Sequence, residues 1–192
     1  MQYCFQDPTS NEFYGSLWFP KKKYVWKHNA PKSPKPLLIY EAHVGMAQEK
    51  SGLGTYVEFR DEILPRIAEG NYNAIQLMGI QEHPYYGSFG YQVSSYFAPS
   101  SRFGTPDELK SLIDKAHSYG IAVILDLVHS HSVKNTLDGL SDYNGTEYQY
   151  FHAGPQGYHT LWDSRLFNYG KPEVQRFLLS NILYWLEDFH FD

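Results

Sequence analysis

The stretch ILDLVHSH, Ile124 to His131, joins an apolar run to one acid and two histidines. Asp126, His129 and His131 are residue types that ligate metals, satisfy one another inside a core, or form the rim of an active site. His129 and His131 stand two apart and share a face while a strand lasts. A catalytic zinc centre takes three protein ligands, and no third ligand is evident nearby, so no metal is expected. Asp126 follows five apolar residues, and a carboxylate so placed must be hydrogen-bonded or lie at a polar rim. Polar groups gather at two other points: Glu41 with His43, and Gln81 to Gln92, which includes His83 and Tyr91.

These groups need a scaffold. LLIYEAHV (37–44), NAIQLM (73–78) and IAVILDLV (121–128) are continuous apolar runs, the pattern of strands in a parallel sheet covered on both faces. Helices alternate with them. Thr55 to Glu58 and Thr105 to Glu108 are capping boxes, in which the threonine hydroxyl accepts from an amide three residues on and the glutamate reaches back. Pro106 suits a first helical position, and Gly120 ends that helix. Phe59, Ile63 and Ile67, then Leu109, Leu112, Ile113 and Ala116, recur at helical spacing. Pro65 is expected to kink or shorten the first helix. Val174, Phe177, Leu178, Ile182 and Trp185 define a last long helix, after which FHFD (189–192) is expected to begin a fourth strand.

Alternating strands and helices place the chain in the α/β class. No glycine-rich phosphate loop follows any strand, which disfavours a nucleotide-binding sheet. The polar clusters sit after strand C-termini, where barrel enzymes build their sites. A (β/α)8 TIM barrel takes eight units and roughly 250 residues, so only about three units and the start of strand four are expected here. Residues 37–192 form this partial barrel. Residues 31–36 read as a proline-rich linker, and residues 1–30, aromatic segments broken by Asp7-Pro8 and Gly15, as β-hairpin material.

Composition narrows the partners. With a formal charge of −5 and one short basic run, Lys21-Lys22-Lys23, the chain is not expected to bind nucleic acid. No apolar run approaches the ~20 residues that span a bilayer, and no signal-peptide core opens the chain. The single cysteine, Cys4, suits a reducing compartment, so a cytoplasmic location is expected. The 17 tyrosines and 4 tryptophans exceed what a core needs, and aromatic excess of this kind lines sites for flat or sugar-like ligands as well as ordinary cores.

LLIYEAHVGM, the run from AIQLMGIQEHPYYG through GYQVSSYFAPSSRFGTPDEL to ILDLVHSH, and WDSRLFNYGKPEVQRFLLSNILYWLEDFHFD together resemble the 1,4-α-glucan branching enzymes of glycogen and starch biosynthesis, within the α-amylase superfamily. The likeness covers nearly the whole chain. DLVHSH matches the first superfamily signature. By that resemblance Asp126 holds the site by hydrogen bonding, His131 contacts hydroxyls of the glucose at the cleavage point, and Tyr91 stacks beneath it. His83 and Gln92 share that loop and are expected to line the cleft. Trp162, Glu173 and Arg176 are candidates for outer glucan contacts, although for the last two plain helix-end electrostatics is the competing explanation. Residues 1–30 then resemble the end of a glycan-binding β-sandwich. The implied partner is α-glucan, without metal or organic cofactor.

Retaining glycosyl transfer needs two carboxyl groups roughly 5 Å apart. In the resembled family the nucleophilic aspartate follows an arginine on the fourth strand, a few residues beyond Asp192, and the acid/base comes later still. The chain therefore resembles an internal fragment and is expected not to branch glucan alone. The competing readings are an α-amylase or debranching-type hydrolase, whose first signature more often carries asparagine where Ser130 stands, and a non-catalytic glucan-binding fragment.

Overall fold

The computed structural model describes residues 2–7, 9, 10, 12–32 and 36–192. Half of the proline-rich linker expected at 31–36, residues 33–35, lies outside the described residues. The chain begins with an antiparallel hairpin of β1 (Gln2–Gln6) and β2 (Phe13–Leu17). The following KKKYVWK segment, expected as hairpin material, forms no strand. It is tied instead to Asp114. Tyr24 donates its hydroxyl to that carboxylate at 2.8 Å, and the amide of His28 donates to it at 2.9 Å. Trp26 stacks on His190 with ring centroids 4.0 Å apart.

The centre of the fold is a parallel sheet, β3 (Ile39–Ala42), β4 (Ala74–Leu77) and β7 (Ala122–Leu125), in that spatial order. Each strand is shorter than its apolar run. After β3, Val44–Met46 winds into a 3₁₀ turn, and Gly45 packs so closely on Phe103 that an added Cβ would lie 2.7 Å from the ring.

The first crossover starts at the Thr55–Glu58 capping box, with both reciprocal bonds made. It runs through α1 (Tyr56–Glu58), a π turn (Phe59–Ile63) and α2 (Leu64–Glu69). The helical path runs on past Pro65 to Glu69, so the proline does not shorten it. The π turn widens the helix just before the proline, where a tight turn would drive its ring into a preceding carbonyl. The second crossover is α3 (Pro106–Ser118), again with a complete capping box. It ends on Gly120 at φ +71, with Ile121 donating to the carbonyl of Ala116 and Gly120 to that of His117, the paired bonds of a left-handed helix stop.

The last helix is α4 (Pro172–Phe189). The strand expected at FHFD is not formed. The Asp192 amide donates to the Val123 carbonyl at 2.9 Å and its carboxylate accepts from the Val123 amide at 2.7 Å, but one main-chain bond is not a ladder. Two short antiparallel excursions escaped the sequence reading: β5 (Gln81–Glu82) with β6 (Ser95–Pro99), and β8 (His131–Val133), β9 (Tyr158–His159) and β10 (Ser164–Leu166). Apart from β6 these strands have two or three residues, too few to carry a readable period.

The main core lies between the parallel sheet and its helices, where Leu64, Ile75, Leu77, Leu112 and Ile113 are fully buried. Each such side chain contributes about 1.5–3 kcal/mol by leaving water. A second cluster, with Tyr96, Phe151, Phe167 and Val174, supports the excursion after β7. Among the described residues no helix is long and apolar enough to cross a membrane.

Candidate functional site

Parallel strands bring their C-terminal ends to one side, so the segments leaving β4 and β7 meet. After β4 the chain enters the β5–β6 excursion, whose loop carries Tyr91 and Gln92. That loop is seated by a backbone contact between two glycines. Gly90, at φ +88, lies so close to Gly79 that an added Cβ would stand 1.8 Å from the Gly79 carbonyl oxygen. After β7 the Asp126 amide donates to the carbonyl of Leu77 at 3.1 Å. Asp126 therefore stands at the tip of the central sheet, and His131 opens β8 beyond it.

Tyr91 joins the two segments. Its phenol donates to Asp126 Oδ2 at 2.6 Å, and its carbonyl accepts from His131 Nε2 at 2.7 Å. A carbonyl only accepts, so Nε2 carries the His131 proton. Nδ1 then accepts the Ser130 hydroxyl, 2.8 Å away. Both ring nitrogens are thus engaged within the protein. Burial pushes the His131 pKa below the ordinary histidine value, and burial followed by the Asp126 hydrogen bond raises that of Tyr91. The imidazole is neutral near pH 7 and held in one tautomer.

Trp162 closes the pocket from the β9–β10 connection. Its indole stacks on His159 at 4.3 Å and lies 5.1 Å from the His131 ring. Gln92 holds it by donating Nε2 to the Trp162 carbonyl at 2.8 Å. Tyr91, Gln92, His131, Trp162 and Ser88 line an open cavity of about 460 Å³, within the ~300–1,000 Å³ typical of small-molecule sites. A slightly larger cavity, about 520 Å³, lies between β2 and Asn135–Asp138. Phe13 and Tyr14 line it, but no imidazole does.

Of the residues singled out in the sequence, Tyr91, Asp126, His131, Gln92 and Trp162 come together. His83 does not, contrary to the expectation that it lines the cleft. It is fully buried against Phe103, with Nδ1 on the Gln81 carbonyl at 2.8 Å. Burial pushes its pKa down to about 4. The reason lies in its neighbour: Glu82, also fully buried, is fixed by the Ser101 amide at 2.8 Å and by Arg102, and so draws the strand inward. Glu173 and Arg176 lie exposed on the first turns of α4 and do not line the pocket.

Several supporting residues had no sequence signal. Asn181 is fully buried on α4. It accepts from His129 Nε2 at 2.8 Å and from Gln81 Nε2 at 3.2 Å, and donates to the Tyr96 carbonyl. Tyr169 donates to the His129 carbonyl at 2.8 Å, and Tyr96 to that of His131 at 2.9 Å. These bonds span 35 to 100 positions in the chain, beyond the reach of any local pattern. His129, whose pKa burial lowers, acts as a brace between β7's exit and α4. Among the described residues no group of three His, Cys, Asp or Glu side chains gathers to hold a metal.

A model of the α-amylase catalytic domain matches residues 64–157. The chain is 57% identical over 194 aligned positions to 1,4-α-glucan-branching enzyme 2-2, chloroplastic/amyloplastic, of Arabidopsis thaliana, covering 100% of this chain and 24% of that protein. It is 57% identical to 1,4-α-glucan-branching enzyme of Dictyostelium discoideum, covering 94% of this chain and 26% of that one. The chain thus spans about a quarter of the length of these relatives. Among solved structures, a putative α-amylase from Salmonella typhimurium superposes with a TM-score of 0.77 at 28% identity, over 93% of this chain and 29% of that one. A pullulanase from Paenibacillus barengoltzii, solved with maltotetraose, gives 0.73 at 21% identity over 86% of this chain and 31% of that one, a likeness of fold.

Proposed function

We propose, for a chain that belongs with the 1,4-α-glucan-branching enzymes of the α-amylase superfamily, that its pocket binds one glucose unit of an α-1,4-glucan beside the bond to be cleaved. In this reading the three parallel βα units are the opening of a (β/α)8 barrel, with the linker at 31–36 and the end of a glycan-binding β-sandwich before them. The observation that carries the site is the Tyr91–Asp126 bond, which holds an aromatic ring beside a neutral, tautomer-fixed His131. A pyranose offers a C–H face to such a ring and hydroxyls to the polar groups around it. To donate to a sugar hydroxyl, His131 Nε2 gives up the Tyr91 carbonyl, so sugar binding and loop position are coupled. Trp162 and Gln92 form the opposite wall. His83 supports the loop from within, and any contact of Glu173 and Arg176 is with chain lying outside the pocket.

The parent reaction is cleavage of an α-1,4 bond through a glycosyl–carboxylate intermediate, followed by attack of a 6-hydroxyl to form an α-1,6 branch. Its nucleophile and acid/base are the carboxylates expected beyond Asp192, so these 192 residues by themselves are expected to bind glucan without branching it. The free Cys4 supports a reducing, cytoplasmic setting, whereas the Arabidopsis relative is chloroplastic/amyloplastic by name. The test pairs two measurements on the chain: maltotriose binding by calorimetry, and iodine absorbance of amylose with reducing ends counted in parallel. Binding that Tyr91→Ala weakens about tenfold or more, with unchanged iodine colour, is expected. Absence of binding overturns the site, and a fall in colour, with or without reducing ends, overturns the assignment of the chemistry to residues beyond Asp192.

A further inference from the structure

Trp162 stands on the tight connection between β9 and β10, at whose base His159 pairs with Ser164. Side chains hold its peptide groups at both ends. The Trp162 carbonyl accepts from Gln92 Nε2 at 2.8 Å, and the Trp162 amide donates to His159 Nδ1 at 3.1 Å. The indole lies flat on the His159 ring, with centroids 4.3 Å apart and planes 12° from parallel. Asp163, next along the chain, has a φ of +47, a backbone conformation that a non-glycine residue keeps only when its surroundings impose it. Trp162 is 51% exposed and belongs to neither core cluster. Contacts with Gln92 and His159, rather than burial, therefore set this wall of the pocket.

The bond to His159 admits one protonation state. A backbone amide only donates, so Nδ1 is bare and the ring proton lies on Nε2. Protonation places a second N–H against the Trp162 amide, and the bond is lost. The stack survives, because a cationic ring also rests on an indole face. The two contacts that cooperate around a neutral ring then separate, and the Trp162 main chain is freed from one of its ties. Histidine is the side chain that changes charge between about pH 5 and 8. The charged and titratable groups around the connection are His131 from β8, the Lys134–Asp163 pair at 2.6 Å, and Arg165 of β10 with Glu147 and Tyr158. The cations Lys134 and Arg165 each have an acid beside them. Burial is the main cause of the lowered His131 pKa, and a charge on His159 adds to it, so the two rings resist being charged together.

We infer that His159 is a positioning residue, which as a neutral Nδ1 acceptor sets the Trp162 wall of the pocket and on acidification releases it. This rests on the glucan reading of the pocket and adds the residue that sets its wall and the condition that frees it.

The test is maltotriose binding to the 192-residue chain, by calorimetry, between about pH 7.5 and about pH 5.5. Two variants divide the contacts. His159→Asn keeps an acceptor at the Nδ1 position, loses the ring and does not titrate. His159→Phe keeps a ring and has no acceptor. The unaltered chain should lose about three- to tenfold in affinity on acidification, the range expected for one hydrogen bond. At the upper pH His159→Asn should bind within about threefold of the unaltered chain, whereas His159→Phe should already show the full loss. On acidification His159→Asn should lose less than the unaltered chain, any remainder belonging to His131. Parallel acid losses in those two chains, or equal affinities of His159→Phe and the unaltered chain at the upper pH, would overturn the role and leave the pocket standing.

A readout without sugar keeps the role and the pocket apart. Nitrogen–proton NMR of the imidazoles should show, in the signals that His159→Phe removes, a bare Nδ1 and a proton on Nε2 at the upper pH. A proton on Nδ1 would overturn the role whatever the sugar does. A bare Nδ1 in a chain that binds no maltotriose would support the tie to Trp162 and overturn the pocket. Far-UV circular dichroism confirms that each variant folds, and if His159→Phe does not, His159→Asn decides, with its own missing signals giving the tautomer.

Discussion

Tyr91→Phe keeps an aromatic ring in the pocket and deletes one atom, the oxygen that donates to Asp126 Oδ2 at 2.6 Å. Hydrogen bonds to charged acceptors contribute about 1.5–3 kcal/mol net, while exposed charged pairs contribute ~0.2–1 kcal/mol. Tyr91 and Asp126 are both partly buried, so the expected loss lies between these limits, at about 1–2 kcal/mol. Asp126→Ala and the double variant complete a thermodynamic cycle. Each single change breaks the same bond, so the effects should fall short of additive by about 1 kcal/mol or more. Urea unfolding followed by tryptophan fluorescence measures this as midpoint shifts at constant slope. Maltotriose binding then separates ring from hydroxyl. Tyr91→Phe should weaken it only a few-fold, whereas Tyr91→Ala, which removes the face a pyranose rests on, should cost about tenfold or more. Additive stabilities would mean that the bond is not made in solution. Equal binding losses for Phe and Ala would mean that the ring is not the sugar platform.

The glycine contact beneath the loop gives a second test: Gly90→Ala meets both a φ of +88 and a Cβ 1.8 Å from the Gly79 carbonyl, and should destabilise by more than about 2 kcal/mol and abolish sugar binding. Gly15→Ala, with nothing within 4 Å, should stay within ~1 kcal/mol of the parent. His83 predicts an acid limb. Its folded pKa, pushed by burial to about 4, lies below the ordinary 6.5, so the unfolded chain binds its proton first and stability is lost as pH falls from about 6.5 towards 4. The full effect is about 3 kcal/mol, and His83→Gln should flatten that limb in urea unfolding curves recorded across the range. Asn181→Ala leaves His129 Nε2 without its partner and removes one bond each from Gln81 Nε2 and the Tyr96 carbonyl, which stay bonded to each other, the carbonyl also to Trp185, and should cost about 1–3 kcal/mol. A smaller change, read from the same unfolding curves, would show that water replaces the amide.

What could be read from the residues alone was whatever a few neighbouring positions decide. Both capping boxes, the Gly120 stop, the apolar runs of β3, β4 and β7, and the placement of Asp126 at a strand tip follow from backbone donors, left-handed backbone and side-chain period. Each acts within a turn or two. The pairing of those runs as a parallel sheet was legible for the same reason, since continuous apolar character implies cover on both faces. Tertiary structure decided the rest. Pro65 was a fault by local rules until the π turn made room for it. His83 and Tyr91 lie on one loop with similar local surroundings, and only the packing of Glu82 against Ser101 and Arg102 turns the first inward, while the Gly79–Gly90 contact seats the second at the pocket. Trp162 reaches His131, and Asn181 reaches His129, across segments that no period connects. Side-chain chemistry is carried by the residue, but its burial and its partner depend on which distant surfaces pack together, and that is settled only when the whole chain has folded.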